Sequence, residues 1–130
     1  MGLYVPISGA CVTTDGTTKV TYWSYGLQPY SVVAGRVVIV VQDLLDGGAN
    51  YGIAKVFALD FMMKNQANVG ACGSINNVIA GDPAISGSSV WVQAGDAQSP
   101  PQPGYILLQA QGVAGFTLNW TISGFAVIAP

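Results

Sequence analysis

The groups that could do chemistry in this chain are few: six aspartates, two cysteines, no histidine and no glutamate in 130 residues. A Ser–His–Asp triad, a Cys–His pair and a glycosidase pair with a glutamate acid cannot be assembled without those two residue types. An Asp–Asp pair is the remaining option. Asp15, Asp43, Asp46, Asp82 and Asp96 each abut a Gly or Pro, or lie within a few positions of a Gly-rich turn, where aspartate bonds its own backbone and shapes the turn. Asp60 differs, because its neighbours are apolar, and it is expected to be a buried acid paired with Lys55 or Lys64. Asp43, Asp46 and Asn50 form an oxygen-rich segment, but their spacing fits no EF-hand loop. No catalytic residue, metal site or cofactor is therefore expected.

Aromatic side chains offer a second kind of chemistry, stacking against sugars. Tyr22, Trp23, Tyr25 and Tyr30 cluster around the corner Tyr25-Gly26-Leu27-Gln28-Pro29-Tyr30, with Trp91 and Tyr105 further on. Alternating aromatics in a strand are core residues, the expectation for Trp23, Trp91 and Trp120. Tyr22, Tyr25, Tyr30 and Tyr105 stay as candidates for glycan or receptor contact. Cys11 and Cys72 sit beside small residues and are expected as two buried thiols, not a disulfide. The sequon Asn119-Trp120-Thr121 lies inside a strand pattern and is expected to be accidental.

Only 8% of the residues are charged, against about a quarter in an ordinary soluble domain. A surface so poor in charge needs a cover to stay dispersed. Lys19, Arg36, Lys55 and Lys64 are scattered singly and the net charge is −2, so nucleic acid is not an expected partner. The longest apolar run, residues 32–41, is broken by Gly35 and Arg36 and falls short of the about 20 residues a spanning helix needs. A membrane barrel would call for a signal peptide and long polar loops, so no membrane partner is expected. The opening Met1-Gly2-Leu3-Tyr4-Val5-Pro6 has neither a charged nor a long apolar segment, so the chain is expected to be made and left in a cytoplasm.

The elements that would position these residues are strands. Phe116, Leu118, Trp120 and Ile122 alternate with Thr117, Asn119, Thr121 and Ser123, one face apolar and the other polar. Before them, Ile106, Leu108 and Ala110 share a face opposite Tyr105, Leu107, Gln109 and Gln111. The loop Gly112-Val113-Ala114-Gly115 predicts that these two runs form a hairpin. Short strands are expected at residues 3–7, 19–25 and 89–93, and residues 98–104, with three prolines, form an extended loop. Residues 62–70 read as a strand end or turn, followed by a polar stretch around Asn76 and Asn77.

The centre is different. Residues 37–41 are a β-branched run, and residues 52–61 place Ile53, Phe57, Leu59 and Phe61 on one face with Ala54, Val56 and Ala58 on the other. Strands apolar on both faces are covered on both faces, whereas a sandwich core covers one. Val38, Val40, Val56 and Ala58 are thus the expected subunit interface. About eight strands at regular spacing predict an all-β fold, an antiparallel β-sandwich of jelly-roll type, in a single domain of residues 1–130.

Certain turns and strands carry a family likeness. They are Thr13-Thr14-Asp15-Gly16-Thr17, the corner Leu27-Gln28-Pro29-Tyr30-Ser31-Val32-Val33, the turn Asp46-Gly47-Gly48, the strand Ala54-Lys55-Val56-Phe57, and the closing Ala110-Gln111-Gly112-Val113-Ala114-Gly115-Phe116-Thr117-Leu118-Asn119-Trp120. In this layout the chain resembles small β-sandwich structural proteins and fibre-tip domains of tailed bacteriophages. The resemblance implies a non-enzymatic virion protein, a capsid decoration or a short fibre component, assembled in the bacterial host cytoplasm. Its partners would be itself, as a homotrimer, and other virion proteins such as capsid or tail proteins. The alternative that it implies is a receptor- or glycan-binding module of a tail fibre.

Overall fold

A computed structural model describes residues 2–43, 53–66, 69–94 and 105–129. They form eight antiparallel strands and one short 3₁₀ turn, Pro83–Ile85. The strands are β1 (Leu3–Thr13), β2 (Lys19–Gly26), β3 (Val32–Asp43), β4 (Ala54–Gln66), β5 (Val69–Gly81), β6 (Ser89–Ala94), β7 (Tyr105–Gln111) and β8 (Leu118–Ala129). They divide into a five-stranded sheet, order β1-β8-β3-β4-β5, and a three-stranded sheet, order β2-β7-β6. The expected antiparallel sandwich is what forms. β1 pairs with β8 in the larger sheet and β2 with β7 in the smaller, so early and late strands lie side by side, while β3, β4 and β5 run as a meander in one sheet.

Period-two alternation explains which side chains meet between the sheets. Val33, Val37, Ile39 and Val41 of β3, Phe57, Leu59, Phe61 and Met63 of β4, and Leu118, Trp120, Ile122 and Ala126 of β8 are buried. The smaller sheet answers with Val90, Ile106, Leu108 and Ala110. Phe57 and Trp120 stack with ring centroids 6.1 Å apart, and the Trp120 indole N–H donates to Thr13 Oγ1 at 2.8 Å. At Gly124 a Cβ would strike the Arg36 carbonyl and the Val37 backbone, so β3 and β8 close here only because the residue is glycine.

Three expectations are corrected. The runs 105–111 and 116–123 are not a hairpin: β7 lies in the smaller sheet and β8 in the larger. The loop between them crosses from sheet to sheet, with Gly112 wedged against the Thr13 side chain and the Asp15 carbonyl and Gly115 in the left-handed region at φ +84°. A short Gly loop signals a reversal and does not say which sheet receives the next strand. The stretch read as a turn and polar segment after Phe61 is instead the end of β4 followed by β5, held by a ladder from Lys55↔Gly81 to Gln66↔Val69. The first strand is also longer than residues 3–7, since pairing with β8 carries it to Thr13.

Candidate interaction surfaces

The outer face of the larger sheet is assembled by register. Across β1, β8, β3, β4 and β5 the outward positions line up in rows: Tyr4, Val127, Ala34, Met62, Gly73; then Pro6, Phe125, Arg36, Asp60, Ile75; then Ser8, Ser123, Val38, Ala58, Asn77; then Ala10, Thr121, Val40, Val56, Ala80. Val38 and Ala58 are direct partners, as are Val40 and Val56, so the four residues expected at an interface occupy one contiguous patch. Val38 is 46% exposed and Phe125 40%. Tyr4 stacks on Phe125 at 5.9 Å between centroids. Nothing among the described residues lies over this face.

Charge on that face is confined to Arg36, Asp60 and Lys64 among the described residues. Asp60 is not a buried partner of Lys55 or Lys64. Register places it opposite Arg36, whose Nε and Nη2 donate to its two carboxylate oxygens at 2.6 and 3.0 Å. The hydrogen-bonded guanidinium holds the Asp60 carboxyl below the usual carboxylate range. A bidentate pair of this kind cancels its own charge on the surface.

Lys55 points the other way. It is buried, its Nζ donating to the carbonyls of Ser86 at 3.1 Å and Ser88 at 2.9 Å and lying 4.6 Å from the Phe57 ring centroid. Burial lowers its pKa. It ties the 3₁₀ turn to β4, and three carbonyls around one ammonium leave no proton-transfer partner in view.

The outer face of the smaller sheet has the opposite character. Its rows are Lys19, Gln111, Ser89; then Thr21, Gln109, Trp91; then Ser24, Leu107, Gln93. Here the side chains bond one another. The Trp91 indole N–H donates to Gln109 Oε1 at 3.1 Å, Gln109 Nε2 donates to Thr21 Oγ1 at 3.0 Å, and Lys19 Nζ sits 4.9 Å over the Trp91 ring. Trp91 is therefore not a core residue as expected: its register position puts it outside, half-buried under its neighbours. Trp120 is core, and Trp23 packs against the core from its edge.

The four tyrosines are not brought together. A register shift between Thr21 and Trp23 lets Tyr22 and Trp23 both lean on the core. The Tyr22 hydroxyl is buried with no hydrogen-bond partner among the described residues, and burial, with a smaller contribution from Cys11, pushes its pKa upward. Tyr25 stacks on Trp23 at 5.8 Å. It lines a recess of about 290 Å³ with Leu3, Gly26, Leu27, Gln28, Ser31 and Ile128. Tyr105 covers Gly26, its cross-strand partner.

Tyr30 alone stands free, 73% exposed and at φ +64°, where a bulky residue is strained. Its N–H donates to the Asn65 carbonyl at 2.6 Å, and Asn65 Nδ2 donates to the Leu27 carbonyl at 2.8 Å, so β4 clamps the corner. Asn65 is the residue that sequence reasoning missed; an Asn at a strand end facing a Pro corner was the available signal.

Both cysteines are free. Cys11 is half-buried, its thiol pKa raised by burial. Cys72 is exposed on β5 and so is not the buried thiol expected. Asp15 accepts from Thr17 and Thr18 N–H at 2.9 and 2.6 Å, the turn role anticipated for it. Of the oxygen-rich segment, Asp43 is buried, while Asp46 and Asn50 lie outside the described residues, as does the proline loop. Among the described residues no group of acids and thiols could hold a metal, and no helix is long and apolar enough to cross a membrane.

No family model matches the sequence, and no curated protein matches it. Among solved structures, a similarity is found to the tailspike protein gp49 from Acinetobacter baumannii bacteriophage Fri1, a capsular polysaccharide depolymerase. The identity is 12% and the TM-score 0.37, over 95% of this chain and 17% of the tailspike. The chain thus spans less than a fifth of that protein's length, and a likeness at this level transfers no activity.

Proposed function

We propose that this protein is a non-enzymatic structural component of a virion, either a capsid decoration or a short fibre component. It acts through self-association and through contacts with neighbouring particle proteins. The observation that carries the reading is the outer face of the larger sheet. It exposes Tyr4, Val38, Val40, Met62, Ile75, Phe125 and Val127, interrupted by Ser8, Thr121, Ser123 and Asn77, and among the described residues its one ion pair, Arg36 with Asp60, is internally neutralised. Exposed apolar surface on this scale marks an interaction site, and closed homo-oligomers are the common solution. The phage-like turns and closing loop of the sequence support placement on a particle, with assembly in the host cytoplasm.

Sedimentation of the purified chain across concentration tests the reading. Wild type is expected as an oligomer that Val38→Lys drives toward monomer. A wild type that stays monomeric at high concentration overturns it.

A second reading, a receptor- or glycan-binding module, is favoured by Tyr30, an exposed aromatic held in a strained conformation, since such strain concentrates at binding sites. Loss of host attachment in Tyr30→Ala with unchanged assembly supports it, and unchanged attachment removes it.

A further inference from the structure

The four sheet edges are not treated alike. A strand edge presents unpaired N–H and C=O groups, and natural proteins blunt it with proline, charge, bulges or a cover. β1 carries Pro6 in mid-strand, and its Gly9 lies so close to β2 that a Cβ would sit 3.2 Å from the Tyr22 carbonyl. β2 carries Lys19 and the register shift at Thr21/Trp23. On β6 the carbonyls of Val90 and Val92 accept from Asn76 Nδ2 at 2.9 Å and from Cys72 Sγ at 3.9 Å, both on β5.

Among the described residues β5 is the least protected edge: it has one bulge, at Ile79 near its end, and touches β6 only through the Cys72 and Asn76 side chains. Over its thirteen residues, Val69–Gly81, it contains no proline and no charged residue. Every side chain from Ala71 to Gly81 is exposed, Ile75 and Ile79 by 65% and 64%. Among the described residues it pairs with β4 alone. That bulge, where Ile79 is left without a partner between Val56↔Ala80 and Phe57↔Val78, affects only the far end and leaves the ladder from Val78 back to Val69 regular.

We infer that the free edge of β5 pairs with β5 of a second copy. The pairing is antiparallel, about a two-fold axis normal to the sheet, and it joins two larger sheets into one. A second copy fits better than a foreign strand for two reasons. Identical edges without charge meet at no like-charge cost, and an uncharged edge offers nothing to select a charged partner. In addition, a two-fold axis in that direction keeps side chains on their own faces. The apolar outer face of one copy then continues directly into that of the next, extending the surface proposed above to hold the assembly. The inference rests on that self-association reading and specifies its geometry.

Hydrogen exchange of the purified chain at low and high concentration, alongside sedimentation, tests it on wild type, Val78→Lys and Val38→Lys. Val78 faces away from the outer surface, opposite Phe57, so a lysine there charges the edge without touching the apolar face. Wild-type amides in residues 71–81 that do not bond to β4 should slow by about tenfold or more as concentration rises. Val78→Lys should abolish that slowing and weaken association by at least about tenfold, with an unchanged circular dichroism spectrum. Ser74→Lys, on the same side of β5, repeats the test if Val78→Lys loses its fold.

If wild type associates and Val38→Lys dissociates it while the β5 amides exchange freely at every concentration, edge pairing is wrong and the outer-face reading stands. If wild type remains a monomer, both fail. Concentration-dependent protection of β5 that both lysine edge variants retain also overturns the pairing.

Discussion

The two sheets turn opposite kinds of surface outward from one shared core. On the smaller sheet Thr21, Gln109, Trp91 and Lys19 satisfy one another through hydrogen bonds and a cation over a ring, a finished surface that asks nothing of a partner. On the larger sheet Val38, Val40, Met62, Phe125 and Val127 are held open to solvent, and of the three charges there among the described residues two, Arg36 and Asp60, are closed on each other. The difference separates two uses of a strand's outer row. Polar side chains that bond laterally end the protein there, whereas apolar ones around a neutralised pair continue it into something else.

The contrast can be broken most strongly from beneath. Trp120 lies under the larger sheet, stacked on Phe57 and bonded to Thr13, so Trp120→Ala should cost about 3–5 kcal/mol and remove both surfaces together in one denaturation transition. Next in size, Val38→Lys should lower the sedimenting mass while leaving the melting temperature of the dissociated chain within a few degrees of wild type. Gln109→Ala removes the link between Trp91 and Thr21. It should cost about 0.5–1.5 kcal/mol by denaturant titration with no change in mass, the converse of Val38→Lys.

A smaller effect concerns pH. The Asp60 carboxyl is held below its ordinary value first by the hydrogen bond from Arg36, so its folded-state pKa lies below the unfolded one. Its contribution is complete above the ordinary aspartate pKa, near 4, and is lost as pH falls through the depressed folded value. Asp60→Asn should therefore show a shallower loss of thermal stability than wild type between pH 5 and 2. Asp15, lowered first by the Thr18 backbone bond, supplies a loss of the same sign that both proteins keep. The smallest change is at the corner: Tyr30→Gly relieves the left-handed strain and should raise stability by about 0.5–1 kcal/mol, read by urea denaturation.

How much of this was legible in the sequence depends on which physical signal each element leaves. The faces of β3, β4 and β7 and the alternation of β8 follow from side-chain period, and Val38, Val40, Val56 and Ala58 were marked because burial of one face could not account for apolar residues on the other. β5 left no such trace. Its Gly, Ser and Asn residues show neither alternation nor strand preference, and it is a strand because β4 supplies the ladder. The placing of β7 and β8 in different sheets was equally invisible, since a loop of Gly112 to Gly115 reports a reversal and not a crossing. Arg36 was likewise missed as the partner of Asp60, because the register that joins them is set by the β3–β4 pairing and not by their separation in the chain.

The ladder between β1 and β8, running from Leu3↔Ile128 to Thr13↔Leu118, sets an order in time. β1 has no other strand to bond among the described residues, so while the chain is being made its first strand waits until residues 118–129 have left the ribosome. Pairings so distant in sequence form slowly. Closing the larger sheet is therefore a late event, and the full outer face from β1 to β5 comes into being only after nearly all of the described chain has been synthesised.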